Sequence, residues 1–229
     1  MPDVPDVPDV PDVPTEPGLF DLPERPREPV DLPSGARFLP DWLTVEQQQW
    51  IVRQYRAWCA GPVPPRRPRY GSGQMSVEML SLGWHWAGNG FSRYAVDVNN
   101  ARILPMPDWA VKVGRMVTGD PTYTPDSLLA NHYGPGATMG MHRDADETSP
   151  APVVSLSIGD TCRFRFGNAE TRTKPYTDVE LRSGDAFVFG GPARWNFHGV
   201  PKVFDGTAPE ACGITGRLNI TMRVTGMDS

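Results

Sequence analysis

The sequence predicts a mainly β protein of α+β type, with two helices lying outside a sandwich or barrel of short strands. Three observations carry this. Between Ser127 and Val224 eight short apolar or alternating runs follow one another, separated by turn residues, the rhythm of a closed or double-sheet β fold. Before them only two stretches show helical spacing of apolar residues. Ahead of both stand four copies of Pro-Asp-Val at residues 2–13, where proline at every third position fixes φ and removes backbone donors, so neither helix nor central strand forms.

The chain has 229 residues, 39% of them apolar, enough for one substantial core. No run of about eighteen apolar residues is present, which argues against a transmembrane helix, and the N-terminus lacks the basic start and apolar stretch of a secretory signal. Cys59, Cys162 and Cys212 are odd in number and have no CxxC spacing; they support neither a disulfide framework nor a zinc cluster and fit a reducing cytoplasm. The net charge is −5, yet residues 1–31 hold six Asp, three Glu and two Arg, a balance of −7, so the remainder is mildly basic at +2. A polyanionic ligand is therefore permitted, though not required.

Taken in order, residues 1–33 are expected to be a disordered Pro/Asp-rich leader, extended and polyproline II-like, inert rather than a docking segment and dispensable for turnover. Order is expected from a short strand at 36–39. Thr44 with Gln47 three residues later forms a capping box, opening a helix with Ile51, Tyr55, Trp58 and Cys59 on one face that stops at Gly61-Pro62. The loop 64–71 carries Arg66, Arg67 and Arg69 among prolines; these face solvent or, in the sharper reading, phosphate. Alternation predicts a strand over 74–80. The segment from Leu82-Gly83-Trp84 through Trp86, Phe91 and Tyr94 sets large rings among small polar residues, the texture of a lid whose rings pack or stack a base. A second helix spans 108–118 with Trp109, Val113, Met116 and Val117. The strands that follow are 127–133, 139–142, 153–158, 162–166, 177–181, 186–189, 196–200 and 218–224.

The chemistry concentrates in 131–144. Asn131 and Tyr133 are two apart, as are His142 and Asp144, so each pair shares a strand face; Gly134-Pro135-Gly136 between them permits a turn. His132 points the other way and is given no role. His198 is the best third ligand. Two histidines and a carboxylate on a β scaffold form the facial triad of non-haem Fe(II) oxygenases. In 217–223, Arg217, Asn219, Thr221 and Arg223 share one face. One reading is the exposed polar face of an edge strand. The other is a clamp for a dicarboxylate, one arginine at each end, because two arginines on a core strand are costly unpaired. A triad beside such a clamp implies 2-oxoglutarate.

The motifs Asn-x-Tyr-x-Pro-Gly, His-x-Asp-x-Asp-Glu, the distal His198 and Arg-x-Asn-x-Thr-x-Arg occur here in that order. Together they resemble the AlkB family of Fe(II)- and 2-oxoglutarate-dependent nucleic-acid dealkylases. The resemblance runs from about residue 37 to 226. It implies a double-stranded β-helix, or jelly roll, over 126–229, with helices and a nucleotide-recognition lid over 34–125, the two forming one structural domain. It further implies iron on His142, Asp144 and His198, and 2-oxoglutarate on Asn131, Tyr133, Arg217, Asn219 and Arg223, with O₂ as co-oxidant. Trp84, Phe91, Arg93, Asp146 and Arg172 would contact the substrate, alkylated DNA or RNA, with the chain acting as a cytoplasmic monomer. The chain departs from the family's bacterial repair members at its lid, where Phe91 and Tyr94 replace a Tyr-x-Tyr, and at Ala145, where a lysine is frequent. The alternative is a 2-oxoglutarate-dependent hydroxylase of a protein or small molecule.

Overall fold

The computed structural model describes residues 27–32, 35–70, 73–88 and 90–227; the leader as far as residue 26, with its Pro-Asp-Val repeats, lies outside them. The first elements are β1 (Val30–Asp31), β2 (Arg37–Leu39), α1 (Val45–Cys59), β3 (Arg69–Tyr70), β4 (Gly73–Gln74), β5 (Glu78–Leu82), β6 (His85–Trp86), β7 (Phe91–Ser92) and α2 (Asp108–Thr118). There follow β8 (Ser127–Tyr133), β9 (Met139–His142), β10 (Val153–Gly159), β11 (Cys162–Phe166), β12 (Thr177–Leu181), β13 (Ala186–Phe189), β14 (His198–Val203) and β15 (Arg217–Arg223). A seven-stranded sheet in the order β1-β2-β13-β10-β15-β8-β5 faces a four-stranded sheet, β12-β11-β14-β9, with the small ribbons β3–β4 and β6–β7 at the side. This is the expected jelly roll, with its helices outside.

Period-two alternation builds both cores. On β15, Leu218, Ile220 and Met222 pack with Leu128, Ala130, Leu156 and Ile158 against α1 and α2. The opposite face of the large sheet meets the small one, where Phe164, Phe166, Phe187 and Phe189 form the second core. A sheet covered on both sides has its polar positions buried by necessity, so the edge-strand reading of 217–223 is excluded: β15 is central and every residue in it is buried.

The capping box opens α1 as expected: Thr44 Oγ1 accepts from the Gln47 N–H, and Gln47 Oε1 accepts from the Thr44 N–H, a start contributing about 1 kcal/mol. Ile51, Val52, Tyr55 and Trp58 are buried, each stabilising by about 1.5–3 kcal/mol. Trp58 stacks on Trp109 with ring planes 2° apart, joining α1 to α2. The helix ends at Cys59, two residues short of the Gly61-Pro62 stop. Other boundaries also move. The strand expected over 74–80 divides into β4 and β5, and the one expected from 196 begins at His198 and runs to Val203.

Order also starts earlier than residue 36. Val30 and Asp31 pair with Phe38 and Arg37. Arg27 binds the fully buried Asp185 through two hydrogen bonds of 2.8 Å. Asp185 also accepts the Asp41 and Arg182 backbone N–H groups at 2.9 and 2.7 Å. Val30 and Asp31 thus extend the sheet and Arg27 is tied to Asp185, within the stretch expected to be leader, and removing 1–33 takes this anchor away. Arg27→Ala should lower the unfolding free energy by about 2 kcal/mol in urea titration. That is less than a fully buried pair loses, because the Arg27 side chain is 22% exposed and Asp185 keeps two backbone donors; no change in the midpoint would refute the anchor.

Candidate active site

Three neighbouring strands of the large sheet aim polar side chains between the two sheets. Their register sets Asn219 opposite both Asn131 and Ser157, and Arg217 opposite Tyr133. Facing them, β14 pairs with β9 so that His198 lies directly opposite His142. Gly199 makes that approach possible: a Cβ there would stand 2.8 Å from the Met139 carbonyl oxygen. One cavity of about 520 Å³ is lined by Asn131, Tyr133, Arg217, Asn219, His142 and His198.

His142, Asp144 and His198 each offer a ligand atom, all within 4.8 Å of one another. Both histidine Nε2 atoms stand 3.7 Å from the Asp144 carboxylate. Nδ1 of His142 donates to the Gly140 carbonyl at 3.0 Å, and Nδ1 of His198 to that of Asn196 at 3.1 Å. Those bonds fix the tautomer and leave each Nε2 lone pair for a metal. Burial, and then the neighbouring His142, push the His198 pKa down to about 4, so the imidazole is neutral at neutral pH, as a ligand must be. Burial raises the Asp144 pKa, but Arg223 and the two histidines outweigh it and hold it at about 2. Asp144 does not share a strand with His142, as alternation suggested; β9 ends at His142 and the carboxylate sits two residues beyond.

Deeper in the cavity Arg217 is only 2% exposed, yet Nη2 alone is bonded, to Ser157 Oγ at 3.1 Å. Its Nε and Nη1 are buried without a partner, as is the Asn131 side-chain oxygen. An isolated buried guanidinium is expensive, and a carboxylate is the group its planar fork fits. Burial holds the Tyr133 phenol protonated, and among the described residues that hydroxyl donates only to the Met139 sulfur at 3.7 Å, a weak acceptor that an anion would replace. The residues present therefore fit iron and an acidic co-substrate.

Arg223 is different. Its Nη2 stands 2.9 Å from Asp144, an ion pair not aligned as a hydrogen bond, and its Nη1 donates to Glu147 at 3.1 Å. Glu147 also takes Arg194 Nη2 at 3.3 Å, and Arg194 donates to the Asp144 carbonyl at 2.8 Å. The two arginines expected to form a symmetric clamp thus differ in their surroundings: Arg217 has two donor nitrogens open, while Arg223 is paired with Asp144 and Glu147 and keeps only Nε unpartnered. Asn219 is likewise committed, donating to Ser155 Oγ and the Leu156 carbonyl and accepting from Thr221. Glu147 and Arg194 had no assigned role in the sequence, although Glu147 closes the His-x-Asp-x-Asp-Glu motif.

At the mouth the cavity is lined by Asp146, Arg172, Arg143 and Trp86. Trp84, Phe91 and Arg93 do not line it. Gly83 turns at φ +76°, so the alternation of β5 does not carry into β6. Trp84 falls on the bend beneath the Arg93 guanidinium, 3.8 Å from the ring, and Arg93 donates to the Gly83 carbonyl. Phe91 pairs with Trp86 across the ribbon. Arg66, read as facing solvent or phosphate, is instead held by Asp97 and the Trp86 carbonyl.

A jelly roll with a His-Asp-His face beside an orphaned guanidinium is the architecture of an Fe(II)- and 2-oxoglutarate-dependent oxygenase. The sequence profile of the 2OG-Fe(II) oxygenase superfamily matches residues 35–223. An alpha-ketoglutarate-dependent dioxygenase AlkB homolog of Caulobacter vibrioides (strain NA1000 / CB15N) is 38% identical over 203 residues, 86% of this chain and 90% of its own. The DNA N(6)-methyladenine demethylase ALKBH1D of Arabidopsis thaliana is 30% identical over 217 residues, 82% of this chain and 49% of its own. The solved structure of OsALKBH1 superposes with a TM-score of 0.76 at 30% identity, covering 84% of this chain and 99% of that one. The chain belongs to the 2OG-Fe(II) oxygenase superfamily and, within it, to the AlkB family. It is a dioxygenase with Fe(II) as metal and 2-oxoglutarate and O₂ as cosubstrates. Among the described residues no helix is long and apolar enough to cross a membrane.

Proposed function

We propose that the chain oxidatively removes N-linked methyl groups from bases of the 1-methyladenine and 3-methylcytosine type in DNA or RNA, releasing formaldehyde, succinate and CO₂. The observation that supports this best is the lining of the cavity that holds the triad. It runs from the orphaned Arg217, past the triad, to a mouth where the Asp146 carboxylate and the Trp86 ring stand beside Arg143 and Arg172. A carboxylate there favours a cationic ring over a neutral one, and arginines at the rim suit phosphate. The relative from Arabidopsis thaliana bears the name of a DNA N(6)-methyladenine demethylase, which supports N-methylated nucleic-acid bases in general rather than the cationic ones in particular.

When bound, iron, 2-oxoglutarate and O₂ supply the oxidation: one oxygen atom ends in succinate and the other hydroxylates the methyl carbon, whose N–C bond then breaks to give formaldehyde. In this reading His142, Asp144 and His198 hold the metal, and Arg223 fixes the Asp144 orientation. Arg217, with Tyr133 and Asn131 beside it, receives the remote carboxylate of the cosubstrate. Asn219 completes that wall through its bonds to Ser155 and Thr221. The target base is extruded or presented single-stranded to reach the mouth, where Asp146 and Trp86 orient its methyl group toward the triad and the apolar lining excludes water. The three free cysteines suit a monomer working in a reducing cytoplasm.

The test is incubation with Fe(II), 2-oxoglutarate, O₂ and a panel of methylated oligonucleotides, read by mass spectrometry. The expected result is loss of 14 mass units from the 1-methyladenine and 3-methylcytosine strands, roughly one CH₂, with equimolar formaldehyde. Succinate formation with every oligonucleotide unchanged would instead favour a protein or small-molecule hydroxylase.

A further inference from the structure

We propose that Trp86 is a positioning residue for Asp146, and that Arg66, Asp97 and His85 form the brace that holds Trp86 in place. This deepens the reading above and rests on Asp146 facing the substrate base. The indole Nε1 donates to Asp146 Oδ2 at 2.6 Å, and both residues line the cavity mouth. Trp86 comes from the β6–β7 ribbon and Asp146 from the loop beyond β9. An exposed aspartate in a loop otherwise samples many directions. An indole N–H is a donor with no acceptor capacity, so it fixes one carboxylate oxygen and leaves Oδ1 for a ligand. A base that presents an amino group or a positive ring satisfies that oxygen; a base that presents a carbonyl is repelled.

The brace runs back to the large sheet. The Trp86 carbonyl accepts from the Arg66 guanidinium. Arg66 Nε pairs with Asp97 Oδ2 at 2.7 Å, and Asp97 Oδ1 meets His85 Nε2 at 2.5 Å. His85, the residue before Trp86, is fully buried. Arg66 in turn exchanges both backbone hydrogen bonds with Met79 of β5, at 3.0 and 2.6 Å, and Met79 itself lines the cavity. None of the three brace residues has a part in metal or cosubstrate binding. Their effect is to set where the indole stands.

The probes are two single-stranded oligonucleotides, one with 3-methylcytosine and one with 3-methylthymine; the first presents an amino group on a cationic ring, the second a carbonyl on a neutral ring that also carries a 5-methyl group. Binding to the full-length chain loaded with Fe(II) and 2-oxoglutarate, with O₂ excluded so that no turnover occurs, is read by fluorescence anisotropy. The wild-type chain is expected to prefer 3-methylcytosine. In Trp86→Phe, which keeps a ring and removes the donor, that preference should fall about threefold to tenfold, the worth of one hydrogen bond, with 3-methylthymine binding unchanged. Asp97→Asn, outside the cavity, should move the ratio the same way by less, and should add nothing in the Trp86→Phe background. It also serves as the test should Trp86→Phe fail to fold. An unchanged ratio in both variants overturns the proposal. So does tighter binding of both probes by Trp86→Phe, which would make the contact a latch that ligands must break. A wild-type chain that demethylates oligonucleotides but binds both probes equally removes Asp146 from base recognition and this inference with it. Failure of the demethylation panel itself is the separate failure of the proposed function.

Discussion

Arg217→Met is expected to raise the melting midpoint of the ligand-free protein and to remove most of the further rise that 2-oxoglutarate produces in the wild type. The two effects have one cause. The Arg217 side chain is almost wholly buried, makes one hydrogen bond, to Ser157, and leaves Nε and Nη1 without partners. Among the described residues no ion pair joins it to a carboxylate, and the Tyr133 ring lies 5.9 Å away. Each unsatisfied buried donor costs about 1–3 kcal/mol, against about 0.5–1 kcal/mol for a marginal cation–π contact. Methionine fills similar space without a charge, so a gain of about 1–2 kcal/mol is expected, or about 2–8 °C for a chain of this size. The ligand side moves the other way. Truncating one partner of a buried charge pair costs about 2–5 kcal/mol, which is a loss of roughly 30-fold to several thousandfold in affinity. At a concentration one hundred times the wild-type Kd, 2-oxoglutarate should stabilise the wild type by about 2.7 kcal/mol and the variant by less than about 1 kcal/mol. Thermal scans with Fe(II) under anaerobic conditions, with and without 2-oxoglutarate, read both effects at once. A lowered ligand-free midpoint, or a full 2-oxoglutarate shift in Arg217→Met, would show that Arg217 is structural and that the cosubstrate binds elsewhere.

What was legible in the sequence follows from where alternation holds. Within β8 and β15 each side chain's environment is decided by parity, so Asn131 with Tyr133, and Arg217 with Asn219 and Arg223, could be read as one polar face before any coordinates. The capping box gave the start of α1 in the same local way. Outside strands, parity stops deciding. Gly83 turns the chain between β5 and β6, and so Trp84 and Trp86, two apart, do not share a wall; only the second reaches the cavity. Asp144 and Glu147 lie in the loop after β9, where no periodicity says which carboxylate faces the metal and which the interior. Arg217 and Arg223 look equivalent in sequence, being the same residue on the same face of one strand. What separates them is Glu147, 76 residues away in the chain from Arg223, and that is tertiary information no local pattern contains. The edge of the fold escaped notice for a similar reason. Arg27 stands in a proline-rich acidic stretch that looks unstructured, and its partner Asp185 is 158 residues distant.

The same contrast makes Glu147→Gln the most damaging of the buried substitutions outside the triad. Glu147 is 4% exposed, Arg194 1% and Arg223 8%. With Asp144 they form two positive and two negative charges in contact, linked by pairs of 3.3, 3.1 and 2.9 Å. Neutralising Glu147 leaves one buried guanidinium uncompensated. It also sets an amide N–H₂ against a guanidinium that can only donate, since an ionised carboxylate accepts at both oxygens and an amide at one. Breaking a buried pair on one side costs about 3–5 kcal/mol, so the urea midpoint should fall accordingly, with the slope of the transition unchanged. Iron brings two positive charges and 2-oxoglutarate two negative ones, so loading the site does not repair the imbalance, and the deficit should persist in the holo protein. Because Arg223 braces Asp144, metal affinity should fall as well, by about 10–100-fold, as when an outer partner of a ligand is lost. Removing both members of the Arg194–Glu147 pair, as Arg194→Met with Glu147→Leu, should cost less than the sum of the single changes, giving a coupling of about 2–3 kcal/mol in a double-mutant cycle. A Glu147→Gln protein within about 0.5 kcal/mol of wild type, the range of ordinary surface substitutions, would mean that Arg223 is not held by this network. Its guanidinium would then be as free as that of Arg217 to bind the cosubstrate directly.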